Sequence, residues 1–204
     1  VIVTRMVYRE PGPSTLTLMT MISNRSGGGA HTSLMINASQ RVIWDPAGTF
    51  KHPRIPERND VIYGVNPEVF SIYKSAHARE TYHVVMQEIT VSPEVAEQAF
   101  AIARGMGAQS QAQCTASTSR LLSQLPGFSS IGSYLFPKKL MENFAKVPGV
   151  RTSKLFEEDA GGGLENVTPE DLIIPQLKIA QKTNKEVDEN DGAYITGLQV
   201  GDIM

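Results

Sequence analysis

Short runs in which apolar and polar residues alternate mark out the strands of this chain. In residues 15–22 threonine alternates with leucine and methionine, a period of two in β-preferring residues that predicts a strand. Residues 23–29, closed by Gly27, Gly28 and Gly29, read as a turn. Residues 31–37 predict a second strand that opens on His31, residues 38–40 a short turn, and residues 41–45 a third strand ending on Asp45 before Pro46. So short a connection makes the second and third strands an antiparallel hairpin. Residues 82–91 carry the clearest strand pattern, and residues 152–156 add a short one. Val1, Ile2 and Val3 begin a brief alternation that runs into Pro11, Gly12 and Pro13, a turn or an extended arm. Residues 49–60, with Pro53 and Pro56, read as a loop, and residues 61–64 as a short apolar run.

Elsewhere the period lengthens to that of a helix. Asn66, Pro67 and Glu68 supply a cap, a proline at the first helical position and an early acid, so a helix starts there and ends near His77. It turns Val69, Phe70, Ile72 and Tyr73 inward. Ser92, Pro93 and Glu94 repeat the signal, with Val95, Ala99, Ile102 and Ala103 on the apolar face and Gly105 and Gly107 at the end. A third helix opens at Cys114. Its first turn is small and hydroxyl-bearing, its apolar face is Leu121, Leu122 and Leu125, and Pro126-Gly127 ends it. Residues 137–145 form a fourth, with Leu140, Met141 and Phe144 on one face.

The composition fits a packed core: 204 residues, 41% of them hydrophobic. A formal net charge of −2 gives no overall sign of nucleic-acid or anionic-membrane binding. The charge is uneven, however. Residues 1–163 carry +3 and residues 164–204 carry −5. Glu157, Glu158 and Asp159 followed by Gly161, Gly162 and Gly163 have linker composition. The division is therefore a domain over 1–159, a glycine linker over 160–163 and an acidic tail or small appended segment over 164–204. The tail has 41 residues, few for a core of its own, so it is expected to order on a protein partner.

Other classes find no support. No run of about 18 apolar residues predicts a transmembrane helix. No metal-ligand spacing is present, neither triglycine is followed by Lys-Ser/Thr as a phosphate loop requires, and no cofactor is expected. The chain opens on Val1 rather than Met. Either a leader is removed or the sequence is a trimmed piece, and leader removal favours an extracytoplasmic setting.

The candidate chemistry centres on Cys114, the only cysteine. A thiol at a helix start feels the positive end of the backbone dipole and unpaired N–H groups, which lower its pKa. The same N–H groups can receive an oxyanion, with Gln111 and Gln113 as side-chain helpers. A buried inert thiol packing as a small hydrophobe is the plain alternative. His31 opens one strand of the hairpin and Asp45 closes the other, so the carboxylate can hold the ring in one tautomer. Asp45 before Pro46 is also ordinary turn chemistry. His83, on the strand over 82–91, is the alternative base.

Histidine on an early strand, a polar residue on the next and a cysteine opening a later helix resemble the circularly permuted papain-like cysteine hydrolases, the NlpC-type and lecithin:retinol acyltransferase-like group. The likeness is carried by residues 30–36, Val42-Ile43-Trp44-Asp45 and Gln113-Cys114-Thr115 through Leu122. It implies an α+β fold, a permuted papain-like domain with a small antiparallel sheet packed against helices; the short C-terminal appendage over 164–204 has no counterpart in that group. It also implies Cys114 as nucleophile, His31 as base and Asp45 as the residue that orients His31. Many relatives carry a second histidine near Trp44 or Asp45; here the carboxylate substitutes. The implied activity is cleavage of an amide, peptide or ester through a thioester, or transfer of the acyl group to another acceptor. A non-catalytic structural or interaction protein, a phage or envelope component, is the alternative. Within the tail, residues 167–181 resemble small phage-encoded proteins of unassigned role.

Overall fold

The computed structural model describes residues 6–157. Seven strands and four helices follow one another there: β1 (Thr15–Ser23), β2 (Gly29–Asn37), β3 (Arg41–Trp44), β4 (Glu57–Arg58), β5 (Val61–Ile62), α1 (Pro67–His77), β6 (Tyr82–Thr90), α2 (Pro93–Gly105), α3 (Cys114–Leu122), α4 (Pro137–Phe144) and β7 (Arg151–Leu155). The alternation at Val1 to Val3, the glycine linker and the tail over 164–204 lie outside the described residues.

The strands form one open sheet in the order β4-β5-β3-β2-β1-β6-β7, with every neighbouring pair antiparallel. The α+β class and the β2–β3 hairpin match expectation. The sheet is larger than the small one expected, because residues 49–60 are not all loop. Glu57 and Arg58 pair with Ile62 and Val61 and extend the sheet past β3.

Both faces of the sheet are covered. Leu16, Leu18, Leu34, Ile36, Val42 and Trp44 meet α2, α3 and α4 on one side. Met19, Met21, Met35, Ile43 and Ile62 meet Val69, Ile72 and Tyr73 of α1 on the other. This explains why β1 is buried along its interior, the threonines at 17 and 20 included. A central strand of a doubly covered sheet has no solvent face on which to place its polar residues.

The helix starts follow their caps. Asn66 Oδ1 accepts the Val69 N–H at 2.8 Å, and Ser92 Oγ accepts that of Val95 at 3.3 Å. The buried stripe of α2 is Ala96, Ala99, Phe100 and Ala103, rotated slightly from the expected face. Three alanines let the helix axis approach the sheet, which leaves Val95 and Ile102 half-buried at the margin. α3 goes further in the same direction. It turns Thr115, Ser117, Thr118 and Ser119 inward, all buried, and lies so close to β2 that Thr115 Oγ1 is 3.3 Å from Thr32 Oγ1.

Candidate functional site

Two irregularities at one end of the sheet create the site. First, β3 stops early. It pairs with Leu34–Asn37 of β2 and then meets Pro46, which has no N–H to continue a ladder. The opening part of β2 therefore has no strand neighbour on that side, and the start of α3 occupies the space. Second, β2 carries a bulge. Met21 pairs with His31 but Ile22 pairs with Gly29, so Ala30 is an extra residue. A bulge re-aims the side chain beside it, and that side chain is His31.

The ring of His31 lies between two partners. Its Nε2 is 2.5 Å from Asp45 Oδ1, and the Cys114 thiol is near enough to favour the charged form of the ring. Asp45 is held from the other side by α1. Tyr73 Oη lies 2.9 Å from Asp45 Oδ1 and 2.8 Å from Ser33 Oγ. A phenol has one proton and the carboxylate is the stronger acceptor, so Tyr73 donates to Asp45 and the Ser33 hydroxyl supplies the second bond. His77, the last residue of α1, stacks on His31 with centroids 6.2 Å apart and meets the Tyr73 ring at a tilt, 4.3 Å away.

The turn after β3 is shaped around the carboxylate. Gly48 N–H donates to the Asp45 carbonyl at 2.9 Å, and Ala47 between them has φ +57°. Pro46 at the second position and a positive φ at the third are the marks of a type II turn. The turn folds Gly48 back over the side chain, and a β-carbon there would collide with both carboxylate oxygens.

This packing sets the charges. Burial opposes a proton on His31, but the bonds and charges of Asp45 and Cys114 outweigh it and raise the ring to about 9. Burial likewise opposes the thiolate, yet the His31 bond and charge, Thr115 Oγ1 and the Thr32 N–H bring Cys114 below its ordinary value. Asp45 is lowered despite burial, by the bond and charge of His31, the charge of His77 and the Tyr73 bond. Burial lowers His77, whose Nδ1 is 2.7 Å from the Tyr73 carbonyl. These directions favour a charged His31 ring backed by the Asp45 carboxylate and ease ionisation of the Cys114 thiol. Cys114 as a residue is 8% exposed.

His31 and Asp45 thus meet directly, and Cys114 opens α3 beside the same stretch of β2. Gln111 and Gln113 are exposed, and Gln113 caps α3 without a side-chain bond. His83 lies elsewhere: its Nδ1 is 2.6 Å from Asn24 Oδ1 and its ring stacks on Phe156, on a strand that β1 separates from β2. Tyr73, Ser33 and Gly48 are the participants that sequence reading left out of the site. Among the described residues no group of three or more His, Cys, Asp or Glu side chains is placed to hold a metal ion, and no helix is long and apolar enough to cross a membrane.

Comparison with known proteins corrects the expected kinship. The family model that matches is that of the Pam3 phage gp34-like protein, over residues 148–204. No curated protein and no solved structure matches the chain. Membership of the permuted papain-like group is therefore overturned, while the α+β class of the fold stands. The likeness rested on three residue types in a given order, and that constellation recurs on unrelated scaffolds. The phage match falls on the segment whose residues 167–181 resemble small phage proteins, and it overlaps the described structure only from residue 148 to 157.

Proposed function

We propose that this chain is a thiol-dependent hydrolase that cleaves an amide, peptide or ester bond. The observation that carries the reading is the ring of His31, bonded through Nε2 to the buried Asp45 carboxylate, with its charge favoured also by the nearby thiol of Cys114, the only cysteine. The Cys114 thiolate attacks the acyl carbon. The oxyanion is received by the Cys114 N–H at the head of α3, with Gln111 and Gln113 exposed beside it. His31 gives its proton to the leaving group, and a thioester remains on Cys114. His31 then takes a proton from water, the hydroxide attacks the thioester, and the acid departs as the thiolate reforms. Asp45 touches no substrate. It fixes the ring and stabilises its charge. Replacing water by another acceptor makes the same cycle an acyl transfer.

A second reading is favoured by the family match over 148–204: a non-catalytic phage component, with the acidic tail as the docking arm for an assembly partner. The two readings separate on turnover. Incubation with a panel of activated amides and esters, followed by intact-mass spectrometry, is expected to give an acyl adduct on Cys114 that decays with release of acid, and none in Cys114→Ser. Absence of any adduct, or an adduct that never decays in the presence of water or amines, counts against the hydrolase and leaves the structural role.

A further inference from the structure

We infer that Asp60 is a positioning residue of this site, tying the turn that carries Asp45 to the loop that delivers Cys114. The inference rests on the catalytic reading above. β4 and β5 are joined by the two-residue loop Asn59-Asp60, with φ of +53° and +62°. Positive φ at both positions is a type I′ hairpin turn, and glycine is the favoured residue at its second place. An aspartate stands there instead, and its bonds explain why.

The Asp60 carbonyl accepts the Asp45 N–H at 2.8 Å. One carboxylate oxygen, Oδ2, accepts the Ala47 N–H at 2.9 Å and the Gln109 N–H at 2.7 Å. The first two bonds fix both ends of the segment from Asp45 to Ala47. The third reaches across to the stretch between α2 and α3. From there Gln109 Oε1 accepts from Ser117 Oγ at 2.7 Å and from Arg120 Nη2 at 3.3 Å, both on α3. Its Nε2 donates to the carbonyls of Met106 and Gly107 at 2.9 and 3.0 Å. A continuous chain of bonds thus runs from the backbone of Asp45 through Asp60 and Gln109 to the turn of α3 that follows Cys114. Ala112, with φ +65°, lies within the tethered loop. Cys114 and Asp45 must approach His31 from different elements, and this link holds their separation fixed.

Asp60→Gly tests the inference cleanly, because glycine suits φ +62° and removes only the carboxylate. Asp60→Asn also tolerates that φ and retains one oxygen able to accept both N–H groups. The readout is iodoacetamide alkylation of Cys114 in the full chain as a function of pH, with thermal melting in parallel. Asp60→Gly is expected to melt no lower than Asp60→Asn, yet to shift the thiol titration upward by at least half a unit. That lowers the rate at pH 6, relative to pH 9, by about threefold. Asp60→Asn is expected to recover most of the wild-type profile. A folded Asp60→Gly variant with the wild-type profile overturns the role of Asp60 alone. A wild-type thiol that titrates at its ordinary value, with or without His31, overturns the catalytic reading and this inference with it.

Discussion

Replacing Gly48 by alanine adds one methyl group where the structure has no room for it. Gly48 does not occupy the left-handed region, so the backbone accepts alanine, and the whole cost falls on the side chain of Asp45. The new β-carbon would overlap Oδ2 and sit 2.7 Å from Oδ1. Ordinary contact at about 3.4 Å requires the carboxylate to retreat by on the order of 1 Å. The His31–Asp45 bond, now 2.5 Å, would then exceed hydrogen-bonding range. A hydrogen bond between charged groups contributes about 1.5–3 kcal/mol, so at 1.36 kcal/mol per unit the ring should fall by about one to two units. An NMR titration of the His31 ring protons reads this directly, starting from a wild-type value of about 9. A folded Gly48→Ala chain whose His31 still titrates near 9 would refute the reasoning, since it would show that the carboxylate is not what raises the ring.

Three further outcomes follow from the same packing. Tyr73→Phe removes one donor to Asp45 and leaves the buried Ser33 hydroxyl without its partner, so it should cost about 1–3 kcal/mol in urea unfolding while retaining the fold. His31 is raised from 6.5 to about 9, so its contribution is full below pH 6.5 and is lost as pH rises through 9. Its upper bound is about 3 kcal/mol, and the stability gap between wild type and His31→Gln should close over that window, as seen in urea melts at several pH values. Asp45 is lowered from 3.8, so its contribution is present above pH 3.8 and is lost as pH falls through the folded value. Asp45→Asn should accordingly flatten the acid limb of the stability curve, and an unchanged limb would count against the assignment.

How much of this was legible depended on how far apart in the chain the partners lie. His31 and Asp45 belong to one hairpin with a short turn, so local pattern already places them side by side. The helix at Cys114 was readable from its small first turn and leucine face. What pattern does not contain is strand order. His83 and His77 are both near element ends, yet β1 separates β6 from β2, while α1 crosses the face of the sheet and brings His77 against His31. The roles of Tyr73 and Asp60 depend on that same crossing and on the β4–β5 extension hidden in a proline-bearing loop. Gly48 did leave a signal, a glycine two residues after Asp45-Pro46, but a turn glycine looks the same whether or not a carboxylate lies beneath it. The family resemblance failed for a related reason: the order of three residue types does not determine the sheet between them.

The central claim is that Cys114 and His31 form one ionised pair, and the pH dependence of Cys114 alkylation in wild type and His31→Ala tests it most directly. With a single cysteine in the chain the signal has one source. The account predicts a wild-type thiol that titrates well below the free value of about 8.5 and returns toward it when His31 is removed. The same ordinary titration in both proteins would contradict it and leave Cys114 a packing residue.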